Sequence, residues 1–175
     1  MRAFIALYPD EHARGELSEI APDDADDVRV TDMADWHVTL RFLGQLTDHG
    51  IREVSVAAGA AIAVIPRFTL QLGPMTALGA GARVLFVPAA GAEHAAAALD
   101  SVLEGLAEQR DGPFRGHLTL ARARGRTRLR SSLSGLPVHV TFPVTEAALV
   151  VSRLEPDRAV HQVVERYSLA GTAST

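Results

Sequence analysis

Apolar positions along the chain recur with two periods, near 2 and near 3.6 residues, and the switches between them outline strands and helices. Residues 2–8 alternate as a strand that Pro9-Asp10 ends, and Asp10 is placed to cap a helix over 11–20 with Leu17 and Ile20 inward. An acidic, exposed stretch over 22–27 follows. Residues 36–43 read as a strand closed by Gly44; Thr47 or Asp48 then opens a second helix reaching about residue 64, ended by Pro66. Residues 68–72 form a strand, 73–82 a glycine-rich connection, and 83–87 a strand terminated by Pro88. Residues 92–109 carry the strongest helical pattern, with Ala96, Leu99, Val102, Leu103 and Leu106 on one face. Residues 114–123 are again a strand, followed by a basic segment over 124–131. Strands are expected near 137–142, 146–152 and 159–169, before a tail at 170–175 that should fray.

These elements nearly repeat. Leu7-Tyr8-Pro9, a helix opening Glu11-His12-Ala13 and a strand with His37-Val38-Thr39-Leu40 make the first half. Phe86-Val87-Pro88, a helix opening Glu93-His94-Ala95 and His117-Leu118-Thr119-Leu120 make the second. The two histidines lie 80 residues apart, and the preceding elements keep that offset to within two residues. Self-similarity at half the chain length indicates a duplicated unit. The strand-rich tail favours an antiparallel α+β fold over a parallel sheet. The expectation is a two-lobed, pseudo-symmetric α+β duplication within one domain spanning 1–175, its antiparallel sheets facing a central cleft and its helices on the outer faces.

Composition changes this picture in two places. The 175 residues include no cysteine, which excludes disulfides, thiolate nucleophiles and cysteine-held metals. The N-terminal apolar run is too short for a signal peptide or a membrane span, so a cytoplasmic protein without membrane association is expected. The net charge of -4 argues against nucleic acid, but its distribution does not. From Gly112 to Thr145 there is no acidic residue, whereas Arg115, Arg122, Arg124, Arg126, Arg128 and Arg130 all fall there. A basic surface on an acidic protein suits a polyanion.

The chemistry-bearing residues are the two motifs. On a strand, residues i and i+2 share a face, so His37 with Thr39, and His117 with Thr119, point one way. Arg41 is expected beside the first pair, while Val38, Leu40 and Phe42 enter the core. His-x-Thr-Leu arises by chance about 0.05 times in a chain of this composition, so two copies at equivalent places are specific. Opening a cyclic phosphodiester needs a base to take a proton from water and an acid to protonate the departing ribose oxygen. Two imidazoles suit both roles near neutral pH. Thr39 and Thr119 are placed to donate hydrogen bonds to the phosphoryl oxygens, and Arg41 or Arg122 to add a charge-assisted contact. No metal or cofactor is required. His139-Val140-Thr141 is a decoy, lacking the following leucine and the preceding strand–helix unit. His12, His49, His94 and His161 are expected to be structural.

The flanks of the motifs carry a resemblance. Arg2-Ala3-Phe4-Ile5-Ala6, His37-Val38-Thr39-Leu40-Arg41-Phe42-Leu43-Gly44, Pro113-Phe114-Arg115-Gly116-His117-Leu118-Thr119-Leu120-Ala121-Arg122 and Leu149-Val150-Val151-Ser152-Arg153-Leu154 together resemble the bacterial RNA 2',3'-cyclic phosphodiesterases. These are the LigT-like family, formerly called 2'-5' RNA ligases, of the two-histidine phosphoesterase superfamily. The resemblance implies hydrolysis of a terminal 2',3'-cyclic phosphate to a 2'-phosphomonoester, with weak reverse ligation conceivable. It implies His37 as proton donor and His117 as proton acceptor. The implied partners are RNA 3' ends or nucleoside 2',3'-cyclic phosphates, bound by a monomer. Two other readings stay open: a two-histidine hydrolase of 2'-5'-linked oligonucleotides or cyclic nucleotides, and an RNA-end binding module without turnover.

Overall fold

A computed structural model describes residues 1–154 and 159–171. Among these residues ten strands and three helices are joined mostly by short turns. The first half runs β1 (Arg2–Leu7), α1 (Glu11–Ser18), β2 (Val28–Val30), β3 (Val38–Gln45) and α2 (Asp48–Ile62). Then come β4 (Phe68–Leu72), β5 (Ala77–Leu78), β6 (Val84–Ala90), α3 (Glu93–Val102) and β7 (His117–Ala123). The chain finishes with β8 (Val140–Val144), β9 (Glu146–Leu154) and β10 (Ala159–Ser168). All pairings between these strands are antiparallel, in the order β10-β9-β1-β3-β7-β6-β4-β8, with β2 on β7 and β5 on β6. The result is a curled antiparallel α+β fold with three helices, as expected.

The duplication is legible in the register. The central strands β3 and β7 meet at Val38 and Leu118. On one side Leu7 pairs with Val38, Ala6 with Thr39 and Ile5 with Arg41; on the other Val87 pairs with Leu118, Phe86 with Thr119 and Leu85 with Ala121. Every residue in the first set is 80 positions from its mate in the second. Each ladder also skips a residue at the equivalent place, Leu40 in β3 and Leu120 in β7, and the β1–β3 ladder skips Leu43 besides. A bulge removes a residue from the pairing and must place its carbonyl elsewhere. The Arg110 guanidinium donates to Leu40 O at 2.5 Å, and Thr31 N–H donates to Leu120 O at 2.9 Å.

Burial separates the two faces of the sheet. Ala3, Ile5, Leu7, Val38, Leu40, Leu85, Val87, Leu118 and Leu120 join the helices in one core, where α3 packs on β3 and α1 on β8. Phe4, Ala6, Ala148 and Val150 form a small second cluster with Tyr8 and Val163. β1 is thus buried on both faces after Arg2.

Several boundaries differ from the sequence reading. The third helix ends at Val102 instead of 109, because Gly105 adopts φ +77 and reverses the chain, although Leu103 and Leu106 still pack on the core. β6 runs through Pro88 to Ala90; Pro88 offers its carbonyl to Gly73 N–H and is asked for no donor there. β2 was not expected at all. Ala170 is anchored, donating to Ile65 O at 2.9 Å and accepting from Arg67 N–H at 3.2 Å. The rest of the expected fraying, 172–175, lies outside the described residues.

Candidate active site

The motif histidines are set by the same local device. Each strand begins where a backbone carbonyl two residues earlier receives the imidazole: His37 Nδ1 lies 2.6 Å from Asp35 O, and His117 Nδ1 lies 3.0 Å from Arg115 O. A carbonyl only accepts, so each Nδ1 carries the hydrogen and each Nε2 is left to gain or lose a proton. Each ring also rests on a phenylalanine of the adjacent strand. Phe4 stacks on His37 at 4.9 Å, and Phe86 meets His117 edge-on at 5.4 Å. Gly116 permits the second arrangement, since a Cβ there would stand 2.7 Å from Ala89 O.

Beyond each histidine the side chains follow one pattern. Val38 and Leu118 are buried, Thr39 and Thr119 half-buried, and Leu40 and Leu120 buried. The bulge then turns one further residue inward in each strand, Arg41 and Ala121, before Phe42 and Arg122 emerge. His37, Thr39, His117 and Thr119 line one cavity of about 600 Å³, as does Arg122. Antiparallel pairing at Val38 and Leu118 sets His37 across from Thr119 and Thr39 across from His117.

Arg41 is the residue this bulge removes from the expected set. It is 3% exposed and ion-paired at 3.3 Å with Asp100 of α3, beneath the sheet. Asp100 also receives Arg110 at 2.9 Å. Simple alternation places Arg41 beside Thr39; the skipped Leu40 sends it to the opposite face. Phe42 takes the place twofold-related to Arg122, with the Arg2 guanidinium 5.0 Å above its ring.

Sequence reasoning missed a whole wall of the cavity. Arg29, Val30, Thr31, Asp32, Met33 and Asp35 come from β2 and the 3₁₀ turn Met33–Asp35. The three-residue strand is too short for a periodicity, and its signal is only the apolar Val28 and Val30 around Arg29. β2 pairs Arg29 directly with Arg122, placing two guanidiniums side by side on the cavity wall. Burial, and then Arg29, lower the proton affinity of Arg122. His161 was missed too. It reaches the cavity from β10, 5.3 Å from the His37 ring and 5.2 Å from Phe4.

His139, expected to be a decoy, stands apart from the motif pair. It is exposed before β8, Thr141 is exposed within it, and neither lines the cavity. The acidic stretch is less separate than the sequence suggests. Asp24 pairs with Arg124 at 2.6 Å, and Asp27 approaches Arg130 at 3.9 Å. The backbone N–H of Val30, and then Arg124, hold the Asp24 carboxyl below its usual range. Arg126 and Arg128 are exposed.

The two imidazoles differ in exposure. Burial lowers the His37 pKa from 6.5 to about 4, and the neighbouring His161 and His117 oppose a second charge. The Asp35 carbonyl and carboxylate pull the other way but do not prevail. His117 is exposed. Among the described residues no group of three or more His, Cys, Asp or Glu is arranged to hold a metal ion. None of their helices is long and apolar enough to cross a membrane.

A curled antiparallel sheet carrying one His-x-Thr-Leu strand from each of two related halves frames an enzyme of phosphoester type. The chain belongs to the 2'-5' RNA ligase superfamily, whose pattern matches residues 9–155. It is similar to TT0787 of Thermus thermophilus, with 26% identity over 99% of this chain and 100% of that one, at a TM-score of 0.84. A solved phosphoesterase shares the fold at 24% identity and a TM-score of 0.77, covering 97% and 98% of the two chains. E. coli LigT, solved with 3'-AMP, shares it at 24% identity and a TM-score of 0.73, covering 96% and 97%. No curated protein is significantly similar in sequence.

Proposed function

We propose that the chain hydrolyses 2',3'-cyclic phosphates at RNA 3' ends to 2'-phosphomonoesters, using His37 and His117 as its acid–base pair. The observation that carries this reading is the twofold pair of imidazoles, each anchored through Nδ1, on one wall with two threonines. One histidine takes a proton from water as the water oxygen attacks phosphorus. The P–O3' bond breaks, and the other histidine protonates O3'. Thr39 and Thr119 donate to the phosphoryl oxygens, and Arg122 with Arg29 supplies positive charge. E. coli LigT, crystallised with 3'-AMP, supports a nucleotide as occupant.

The resemblance makes His37 the donor. Its lowered proton affinity favours the reverse order, because a ring neutral at pH 7 is ready to serve as base. With His37 as donor, the negative charge of the bound phosphodiester must raise the proton affinity of the ring. Both orders use the same residues, and a leaving-group comparison separates them.

The test of function is a panel of 2',3'-cyclic, 3',5'-cyclic and 2'-5'-linked nucleotides, with products identified and excess EDTA present. Conversion of the 2',3'-cyclic substrate alone, to its 2'-phosphomonoester, is the expected outcome. Turnover confined to the 2'-5' linkage makes the chain a different two-histidine hydrolase. Tight binding without turnover makes it an RNA-end binding module.

The loop charges set a second expectation. Arg124 and Arg130 are paired to the acidic stretch, so Arg126 and Arg128 are the side chains best placed to meet RNA beyond the terminal nucleotide. Replacing both with glutamine should flatten the salt dependence of RNA binding by about two phosphate contacts. Hydrolysis of a cyclic mononucleotide should stay unchanged; equal loss on both substrates would assign the two arginines to the site itself.

A further inference from the structure

A twofold site faces a problem that its symmetry creates. Acid and base need different proton affinities, yet the duplication builds both histidines the same way. Both donate Nδ1–H to a carbonyl two residues back, although the phenylalanines beside them are not twofold mates: Phe4 stacks on His37 and Phe86 meets His117 edge-on. Two neighbours of His37 have no ring at the equivalent place in the other half: Tyr8, 5.8 Å away, whose mate is Pro88, and His161, the only further imidazole beside either motif histidine among the described residues. Its ring stands edge-on to His37 at 5.3 Å and 76°, and edge-on to Phe4 at 5.2 Å. His37 is therefore sandwiched, with Phe4 stacked on it and His161 at its edge.

Asp35 ties the two rings together. Its carbonyl receives His37 Nδ1 at 2.6 Å, and its carboxylate Oδ1 lies 3.8 Å from His161 Nδ1. That His161 nitrogen is buried and, among the described residues, has no hydrogen-bond partner. A buried polar atom left in this way is costly, and protonation of the ring relieves the cost by drawing it toward the carboxylate.

We propose that His161 is a positioning residue for His37, forming with Asp35 a support that fixes the first imidazole and couples the charge states of the two rings. The proposal rests on the cyclic-phosphodiesterase reading for its effect on turnover, whereas the coupling belongs to the free protein. The charged and titratable groups around the pair are Asp35 from the turn before β3, His117 and Arg122 from β7, and Tyr8 beyond β1. Asp35 favours a proton on either ring. Arg122 disfavours one on His161, and His117 disfavours one on His37. A charge on His161 opposes a second on His37, so a single proton is shared unequally between neighbours. This is how one member of a symmetric pair becomes distinct from the other.

Histidine-edited ¹H–¹⁵N NMR titrations of the wild type, His161→Gln, His161→Phe and Asp35→Asn test the coupling without reference to turnover. In His161→Gln the His37 midpoint should rise by about half a unit or more, since a neighbouring like charge is gone. Asp35→Asn keeps the backbone carbonyl but loses the carboxylate, so the midpoint should fall. His161→Gln should also lower kcat for a 2',3'-cyclic nucleotide about tenfold, with KM changed less than about threefold. His161→Phe retains the edge contact and the melting temperature and should not restore kcat. A His37 midpoint that stays put in every folded variant, or full turnover in His161→Phe, reduces His161 to packing and overturns the proposal. Midpoints that move as expected in a protein inert toward cyclic nucleotides uphold the positioning role and reject the proposed substrate instead.

Discussion

Replacing His37 or His117 with alanine is expected to lower kcat by about 10²–10⁴-fold each, because each removes one partner of a concerted proton transfer. The double variant should lose much less than the product of the two, since residues acting as a unit are not additive. His139→Ala is the matched control. It sits in the same His-x-Thr context but is exposed and outside the cavity, so kcat should barely change and stability should stay within about ±0.5 kcal/mol. A cyclic phosphate must lose an alkoxide, which needs an acid; a nitrophenyl phosphodiester loses a stabilised phenolate, which does not. The variant of the general acid should therefore recover most of its loss on the nitrophenyl ester, while the variant of the base should not. Recovery by His117→Ala assigns the acid role to His117, and recovery by His37→Ala supports the order that the resemblance implies. If His139→Ala inactivates a folded protein while His37→Ala does not, the paired strands have been misidentified.

That contrast shows what could be read from the sequence and what could not. The motif pair was legible because alternation within each strand is local and the 80-residue offset is visible without coordinates. Arg41 was misplaced because alternation is a rule about regular strands, and a bulge at Leu40 is a property of the pairing with β1. The repeated leucine after each threonine gives no hint of it in isolation. Comparison of the halves does, since the twofold mate of Arg41 is Ala121, a residue with no business on a phosphate-binding face. His161 was dismissed for a related reason. A lone histidine on a terminal strand carries no motif, and its place beside His37 depends on β9 lying between β1 and β10. β2 escaped notice because three residues cannot display a period, and its existence depends on β7 offering an edge. Local rules thus found the chemistry, while the neighbours that tune it came from long-range pairing.

The tuning predicts an opposition between activity and stability in acid. Burial holds His37 at about 4, so this ring stays neutral, as a base must be, well below the ordinary histidine range. With His37 as the base, the acid limb of log kcat/KM, which reports the free enzyme, should fall near pH 4; a limb at 6.5 would mean that His37 is hydrated in solution. The same depression works against the fold. An unfolded chain protonates this histidine near pH 6.5, whereas the folded chain refuses the proton until about 4. Between those values the unfolded state binds more protons, so stability rises with pH through the window and is lost as pH falls through it. The cost accumulated from pH 7 to 4 is on the order of 3 kcal/mol for this one group. His161, lowered first by burial, pushes in the same direction. Denaturant unfolding of the wild type and His37→Gln at pH 7, 5.5 and 4 isolates the contribution, because glutamine does not titrate. The wild type should lose stability relative to the variant as the medium is acidified, with most of the change between pH 6.5 and 4. Parallel curves would show that His37 is no more protected from protons in the folded chain than in the unfolded one.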